Sequence, residues 1–514
     1  MSSGYAHSAD AEGTFLGHPK GLYVLFFTEM WERFSYYGMR ALLIFYLVQH
    51  WLFSDAEASV IFGAYTALVY ITPVIGGYIA DRYLGQRKAV LFGAVLLTFG
   101  HFLMAFEGDG GQSDPTISIF WLALAFIIVG SGFLKANISV IVGQLYPLTD
   151  LRRDGAYTIF YMGINLGAAL GAIIAGYLGQ TYGWAYGFGA AGFGMLFGLL
   201  VFMWGKPYLA GRGEPDNPAQ LVRTVASIKL EWLLYLVGVG LVGACWIMIQ
   251  HQSLVGTLLG LFGGALILHV VYHSVTVLEP QDRDRIFAAV FLIMCSILFW
   301  ALFEQTGSSL NLFTDRYVDR EILGIDMPAS VFQSINAIYI VLLAPVFAVI
   351  WTWLARYNLE PSAPAKFALG LLQLGLGFLV LVAGATMGDF TPVLFIFLIY
   401  LLHTTGELCL SPVGLSAMNR LSPKHMASLI MGTWFFATSA GNFVAGLIAA
   451  ATGAESASGE AASKQAVLDV YSTVGWVAIG VSVGVLVLAP LVNKMMHLDT
   501  LQDETVDDDL SVQR

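Results

Sequence analysis

Long apolar runs, separated by short polar segments, recur along almost the whole of this 514-residue chain. Two examples are "LLYLVGVGLVGACWIMI" and "VGWVAIGVSVGVLVLAPLV". A run of about 20 apolar residues is long enough to cross the hydrocarbon core of a bilayer as a helix. Lipid cannot satisfy the backbone hydrogen bonds of open strands or loops, so helices are the expected form. The pattern therefore predicts an all-α polytopic membrane protein.

The composition supports the same class. Hydrophobic residues make up 57% of the chain and charged residues only 11%, whereas roughly 25% of the residues in a soluble domain are charged. Soluble chains of this length divide into domains that keep charged surfaces, so a soluble globular protein is excluded. The net charge of −11 is partly due to an acidic C-terminal stretch, "DTLQDETVDDDLSVQR". We expect the lipid bilayer, and no nucleic acid, as a macromolecular partner.

Gly/Pro-rich or charged segments divide the chain into fourteen predicted helices. The predicted helices span residues 20–50, 57–81, 87–107, 117–146, 155–180, 184–205, 225–249, 254–278, 286–313, 329–356, 364–388, 392–419, 424–452 and 467–495.

The helices fall into two groups of six with an extra pair between them, which suggests parallel repeats around a site at the middle of the membrane. The predicted domains are an N-terminal six-helix bundle (1–205), a linker with two additional helices (206–285), a C-terminal six-helix bundle (286–496) and an acidic tail (497–514).

The distribution of basic residues predicts the orientation. The even-numbered connections and the two tails hold eighteen of the 24 Lys and Arg residues, whereas the odd-numbered connections hold three. The positive-inside rule then places both termini and the acidic tail in the cytoplasm. The remaining three basic residues, Arg33, Arg40 and Lys135, fall inside predicted helices.

The first predicted helix carries a stripe of ionisable side chains. At about 100° per residue, six of them fall within an arc of about 140°. They are Glu29, Glu32, Arg33, Tyr36, Tyr37 and Arg40. Charges in the bilayer centre are costly and usually face a partner or a water-filled cavity. Two carboxylates beside an arginine can share and release a proton, so the stripe indicates a proton-handling site; a purely structural ion pair is the alternative.

Single charges also stand in other apolar helices, namely Lys135 in the first half and Glu304 and Glu407 in the second. Pairs between these acids and the basic residues of the first half can hold one side of a central cavity closed. His403 and Glu407 are spaced i, i+4, as two metal ligands on one helix face are, but no second pair stands near them. We therefore expect no metal and no cofactor.

Several motifs resemble those of the proton-dependent oligopeptide transporter (POT/PTR2) family of the major facilitator superfamily. "EMWERFSYYG", from Glu29 to Gly38, is similar to the ExxERFxYYG signature of the family. "GGYIADRYLGQRKA" and "FYMGINLGAALG" resemble the loop between helices two and three and the fifth-helix signature. Lys135, "FWALFEQ", "FQSINAIYI" and "GELCLSPVGLS" stand where the family has its functional Lys, Glu, Asn and Glu. The resemblance covers nearly the whole chain and implies the major facilitator fold.

The resemblance also implies a role for each matching residue. The proton-coupling residues are Glu29, Glu32, Arg33 and Glu304. The substrate-binding residues are Arg33, Tyr36, Tyr37, Tyr65, Tyr70, Lys135, Asn165, Trp300, Asn336, Glu407 and Trp434. The gating pairs are Arg40 with Glu304 and Lys135 with Glu407. There are two departures from the family pattern: Gly63 stands where animal members carry a functional histidine, and Ala136 where many members have a proline.

The sequence thus predicts a proton-coupled symporter that imports di- and tripeptides by alternating access in a bacterial inner membrane. Arg33 and Lys135 offer cations for a peptide carboxylate, and Glu407 offers an anion for its amine. A transporter of nitrate or another small solute is the first alternative, against which the number of acidic groups argues. A passive channel needs no paired carboxylates at mid-membrane, so the paired carboxylates argue against it. An intramembrane enzyme needs a nucleophile–base pair or a metal cluster, and the sequence shows neither.

Overall fold

The computed structural model describes residues 13–147, 150–225, 227–453 and 460–498, and fourteen long helices occur in this part of the chain. They are α1 (Lys20–Phe45), α2 (Asp55–Ile79), α3 (Gln86–Met104), α4 (Ile117–Gln144), α5 (Arg152–Tyr182), α6 (Trp184–Trp204), α7 (Leu230–Gln250), α8 (Gln252–Thr276), α9 (Pro280–Phe303), α10 (Ser334–Arg356), α11 (Ala363–Ala385), α12 (Leu394–Leu421), α13 (Ala427–Gly453) and α14 (Glu460–Met495). The predicted all-α class and helix count are confirmed. Residues 499–514 of the predicted tail lie outside the described ranges.

Thirteen of these helices, α2 to α14, are long and apolar enough to cross a membrane. The exception is α1, whose 26 residues include the charged stripe between Glu29 and Arg40. A helix with that many ionisable groups is stable in a membrane only when neighbouring helices enclose it. The packing described below provides this enclosure.

The short elements lie at the helix ends. Single turns of π-helix follow α1 (Tyr46–His50) and α2 (Ala80–Leu84), and 3-10 turns cover Lys206–Leu209, Glu304–Gly307, Ala329–Gln333 and Lys424–Met426. Two short helices cover Pro218–Val222 and Ser309–Tyr317. Antiparallel strand pairs join Thr14–Phe15 to His18–Pro19, Thr224–Val225 to Ile228–Lys229 and Glu321–Ile322 to Ile325–Asp326, and a parallel pair joins Val318–Asp319 to Thr391–Pro392.

The ninth helix differs most from its predicted range of 286–313. α9 begins at Pro280, with Glu279 as its N-cap. Proline is favoured in the first turn of a helix because its missing N–H is not needed there, so the charged residues that follow belong to the helix and not to a loop. The helix is interrupted by the 3-10 turn Glu304–Gly307 before the segment Ser309–Tyr317. Glu304 therefore lies at a break in the helix.

Two separate hydrophobic cores correspond to the two predicted six-helix bundles. The first is formed mainly by α1 to α7 and the second mainly by α9 to α14. The expected pair of bundles with two additional helices is confirmed, whereas the domain boundaries at residues 205, 285 and 496 stay predictions. In the first bundle α1 packs against α5 and α6, and in the second α11 packs against α12 and α14.

Small residues let α5 approach the charged helix α1 closely. A Cβ atom on Gly167 would clash with the carbonyl oxygen of Met30, and one on Gly171 would clash with that of Phe34. This Gly-x-x-x-Gly spacing is typical of tight helix pairs in membranes. On the side of α1 away from the stripe, Phe34 is buried against Gly194 of α6. Both neighbours thus enclose α1.

The two additional helices contact both bundles. α7 packs on α2 and α4, and the Lys88 ammonium lies 2.6 Å from the Glu231 carboxylate. α8 packs on α2, α9 and α13. The helix pair therefore connects the first bundle with α13 of the second.

Polar contacts between the bundles lie toward the end of the molecule where α1 finishes and α2 begins, which we call the α1/α2 end. Arg40 pairs with Glu304, and Arg316 forms two hydrogen bonds with Asp55. Further contacts at this end are Gln49 Nε2 to Asp315 Oδ2 (3.4 Å), Asn311 Nδ2 to the Ala41 carbonyl (3.2 Å) and the Ser330 N–H to Gln180 Oε1 (2.8 Å), and Ser439 Oγ donates to the Ala67 carbonyl (2.8 Å) midway along α2. The bundles are thus joined at the α1/α2 end.

Toward the opposite end, the described residues form no hydrogen bond or ion pair between the bundles. Tyr161 lies in the half of α5 nearer this end. It keeps 45% of its surface exposed. Polar contacts between the described residues therefore close the α1/α2 end and not the other end.

Candidate transport site

The α1 stripe forms a buried charge cluster. Arg33 Nε donates a hydrogen bond to Glu29 Oε1 at 2.7 Å and lies 3.0 Å from Glu32 Oε2, and all three side chains are buried. Burying a charge is costly unless it is paired, so the arginine lets two carboxylates lie in an apolar bundle. The predicted i, i+4 contact between Glu29 and Arg33 is present.

The cluster keeps unused hydrogen-bonding capacity. Arg33 donates only through Nε, so its two terminal nitrogens make no hydrogen bond with the described residues. Both oxygens of Glu32 and one of Glu29 are buried without a hydrogen-bond partner. Buried polar atoms are normally satisfied by protein or water. The site is therefore arranged to accept water, a proton or a ligand.

Lys135 of α4 has aromatic partners and no carboxylate partner among the described residues. Its Nζ lies 3.9 Å from the centre of the Tyr70 ring and 5.9 Å from that of Tyr36, which are cation–π contacts. Ring faces stabilise an ammonium without neutralising it. The hydroxyls of Tyr36 and Tyr65 are buried and unpartnered in the described chain. Positive charge and free phenol groups therefore occur together beside the α1 cluster.

The second bundle supplies the opposite charge. Asn336 of α10 donates from Nδ2 to Glu407 Oε2 at 3.1 Å and to Thr404 Oγ1 at 3.0 Å. Trp300 of α9 is partly buried, and its indole N–H makes no hydrogen bond to a described residue. Tyr37 of α1 packs against a cluster that includes Ala337 of α10, which follows Asn336 in the chain. The charged groups of the two bundles thus share one inter-bundle space.

The structure brings together one of the two predicted gating pairs. Arg40 and Glu304 form an ion pair, and the Arg40 guanidinium also lies over the rings of Tyr37 (5.8 Å) and Phe62 (5.6 Å). Lys135 and Glu407, both in the described chain, form no ion pair with each other. This difference agrees with a molecule closed at the α1/α2 end only.

Two predicted site residues lie deeper than expected. Asn165 is buried and donates to the carbonyl oxygen of Tyr161 in the preceding turn of its own helix. Trp434 is buried in the second core, where its ring fills the space beside Gly414. Their roles as substrate-binding residues stay predictions.

The position that holds histidine in animal members has no room for one. A Cβ atom on Gly63 of α2 would lie 2.7 Å from the Cα atom of Gly446 of α13. Such a distance requires the two backbones to separate. The glycine therefore serves the contact between the bundles, and a proton route through this position is absent.

Two features of the site were not predicted. The Asp55–Arg316 ion pair joins α2 to the segment after α9, and Tyr161 is half exposed in the part of α5 away from the α1/α2 end. Asp55 follows Ser54 in a capping box, so its sequence signal is that of a helix start. Tyr161 follows Phe160 in a run that also packs, and nothing in its spacing separates it from packing residues.

Comparison with known proteins identifies the family. The profile of the POT family (PTR2) matches residues 87–466. The chain belongs to the POT family. "Peptide transporter YePEPT" of Yersinia enterocolitica subsp. palearctica is 38% identical over 459 residues, covering 85% of this chain and 88% of the relative. "Dipeptide and tripeptide permease B" of Yersinia enterocolitica serotype O:8 is 32% identical over 497 residues, covering 95% and 98%.

Solved structures of POT proteins have the same fold. A crystal structure of a peptide transporter POT in complex with sulfate is 33% identical, has a TM-score of 0.83 and covers 96% of this chain and 100% of that one. A POT family transporter in complex with 5-aminolevulinic acid is 30% identical with a TM-score of 0.80, covering 95% and 100%. As a POT family member, the chain is a multi-pass membrane transporter and not an enzyme.

Proposed function

We propose that this protein is a proton-coupled symporter that imports di- and tripeptides by alternating access. One observation carries the proposal. Cations from the first bundle and an anion from the second lie around one space, and these charged groups have hydrogen-bonding atoms that no described residue uses. Among the described residues, the two terminal nitrogens of Arg33 make no hydrogen bond, Lys135 has no carboxylate partner, and Glu407 accepts only from Asn336. A zwitterionic peptide presents a carboxylate and an ammonium that match this arrangement. The names of the relatives support the same substrate class.

In this proposal the peptide carboxylate binds Arg33 and Lys135, and the amino terminus binds Glu407 and Asn336. Charge-assisted hydrogen bonds of this kind are about twice as strong as neutral ones. Tyr36, Tyr37, Tyr65, Tyr70 and Trp300 surround the peptide, with Asn165 and Trp434 in the wall behind them. Aromatic rings contact peptide side chains through apolar interactions, which depend little on direction. Peptides with different side chains can therefore bind.

The proton acts through competition for Arg33. Glu29 and Glu32 both lie within 3.0 Å of its Nε. When Glu32 takes a proton it loses its charge and its attraction to the guanidinium. The guanidinium, with one carboxylate fewer beside it, then attracts the substrate carboxylate more strongly. Proton binding and peptide binding therefore favour each other, as coupled transport requires.

The two gating ion pairs form alternately during the transport cycle. The Arg40–Glu304 pair closes the α1/α2 end, and a Lys135–Glu407 pair closes the opposite end in the outward-open state. Protonation of Glu304 weakens the first pair and favours outward opening, because a ligand shifts a conformational equilibrium only by binding the two states differently.

In this proposal both termini lie in the cytoplasm of a bacterium and the chain spans its inner membrane; the excess of basic residues in the even-numbered connections supports this orientation. The α1/α2 end then faces the periplasm, and the structure is inward-open. Substrate leaves the molecule past Tyr161.

The test is transport into liposomes that contain the purified full chain. With an acidic exterior, labelled dialanine should accumulate above its external concentration, and a protonophore should abolish the accumulation. Equilibration without accumulation under the same gradient would indicate a channel. Accumulation of nitrate, with no inhibition by dialanine, would indicate the anion transporter.

A further inference from the structure

A cavity of about 570 Å³ lies in the second bundle where α10, α12 and α14 end and α11 begins. Its polar lining includes Glu360, Ser362, Lys366, Ser416, Arg420 and Asn493, and Trp351 forms one wall. Arg420 follows Glu407 by thirteen residues of α12, or roughly 20 Å along the helix axis. The cavity is therefore separate from the transport site, and the function proposed above does not use it.

The charges around the cavity leave one cation unpaired. Lys366 is only 7% exposed, pairs with Glu360 and lies 4.5 Å from the centre of the Trp351 ring. This pair is neutral as a unit. Arg420 makes no hydrogen bond or ion pair with any described residue, and its side chain is exposed. The cavity therefore has a net positive charge, carried by Arg420.

The remaining lining suits a headgroup and not a simple ion. Ser362, Ser416 and Asn493 offer hydroxyl and amide groups, and Pro412, Val413 and Met496 are apolar. Trp351 lies in the last two turns of α10, the depth at which tryptophan is enriched in membrane proteins. Basic pockets between membrane helices at this level suit anionic lipid headgroups.

We propose that this cavity binds the headgroup of an anionic phospholipid. Arg420 contacts the phosphate diester, and Ser362, Ser416 and Asn493 hydrogen-bond to the hydroxyls of a glycerol headgroup. The lipid joins the ends of α10, α11, α12 and α14. Because α12 also carries Glu407, the bound lipid stabilises a helix of the transport site.

The test is native mass spectrometry of the purified full chain, titrated with phosphatidylglycerol. Arg420→Gln should weaken lipid binding by about tenfold, since a hydrogen bond to a charged group contributes on the order of that factor. Arg356→Gln is the matched control because Arg356 is exposed and unpaired in the described chain and ends α10 at the same level, outside the cavity. Ser416→Leu fills the cavity without changing its charge and should weaken binding as much as Arg420→Gln.

Phosphatidylcholine and sn-glycerol 3-phosphate complete the experiment. Phosphatidylcholine should bind more weakly than phosphatidylglycerol because its headgroup carries no net charge. Equal lipid binding by the wild type and Arg420→Gln, or an equal loss in Arg356→Gln, would overturn the proposal. Displacement of the lipid by equimolar sn-glycerol 3-phosphate would assign the cavity to a soluble phosphate. A tenfold gain in lipid binding on deletion of residues 499–514 would assign it to that acidic segment.

Discussion

Arg40 of α1 and Glu304 at the end of α9 form a buried ion pair between the two bundles. The rings of Tyr37 and Phe62 flank the guanidinium, so water has little access to the pair. Removing one partner of a buried pair costs about 3–5 kcal/mol because the other charge is left unpaired. That cost falls only on the conformation in which the pair is formed. The pair therefore acts on the equilibrium between the inward-open and outward-open states.

Arg40→Ala and Glu304→Ala should each shift the population toward the outward-open state. The measure is labelling of a single cysteine, introduced at the α1/α2 end, by a membrane-impermeant thiol reagent. The double variant Arg40→Glu with Glu304→Arg should recover part of the wild-type labelling and transport. Wild-type labelling in both single variants would mean that the pair is not a gate.

Arg316→Ala should produce the same shift with a smaller amplitude. Arg316 and Asp55 also join the bundles at the α1/α2 end, but both are partly exposed. Ion pairs at the surface contribute about 0–1 kcal/mol. The same cysteine assay gives the ratio of the two effects, with Asp55→Asn as the second member of a double-mutant cycle. An effect of Arg316→Ala larger than that of Arg40→Ala would assign the main closure to the outer pair.

Glu32→Gln should abolish uphill, proton-driven uptake and leave peptide-for-peptide exchange intact. The amide cannot take up or release a proton, whereas Arg33 keeps Glu29 as a hydrogen-bonding partner. Uptake under a pH gradient and counterflow without a gradient are measured on the same liposomes. Full gradient-driven uptake by both Glu29→Gln and Glu32→Gln would exclude the cluster from coupling.

Lys135→Ala should lose driven transport, and Glu407→Ala should weaken binding of peptides with a free amino terminus. Each substitution removes one end of the charge arrangement that faces the peptide. Binding is compared for dialanine and its N-acetyl derivative in the wild type and Glu407→Ala. Acetylation should weaken wild-type binding strongly and variant binding little. An equal loss in both proteins would show that Glu407 does not bind the amine.

The sequence predicts contacts along one helix better than contacts between helices. The spacing of Glu29 and Arg33 places them on one face of a helix, and the structure has their hydrogen bond. The family resemblance implies the Arg40–Glu304 pair, which the structure contains. The Asp55–Arg316 pair is not predicted, because the sequence around Asp55 indicates only the start of a capped helix. Such a pair depends on how two separately folded bundles meet.

The apolar pattern of the sequence also gives the wrong helix bounds where the backbone changes its geometry. The charged residues after Pro280 read as a loop, yet they form the first turns of α9. The 3-10 turn at Glu304 lies within an apolar pattern that predicts continuous helix. The cation–π contact between Lys135 and Tyr70 is also not predictable from the residue pattern, because Tyr70 does not differ from other aromatic residues in apolar runs.

The contact between α8 and α13 gives the last prediction. A Cβ atom on Gly263 would lie 2.7 Å from the Phe436 ring, whereas one on Gly264 would meet no atom within 4 Å. Gly263→Val should therefore destabilise the protein by about 1–3 kcal/mol, as overpacking does, and Gly264→Val should not. Both variants replace glycine by valine in the same helix, so helix propensity cancels between them. The melting temperature in detergent and the initial rate of dialanine uptake are measured for each. If α8 only borders lipid, the two variants will have the same melting temperature. If α8 supports α13, Gly263→Val alone will have a lower melting temperature and a slower initial rate of uptake.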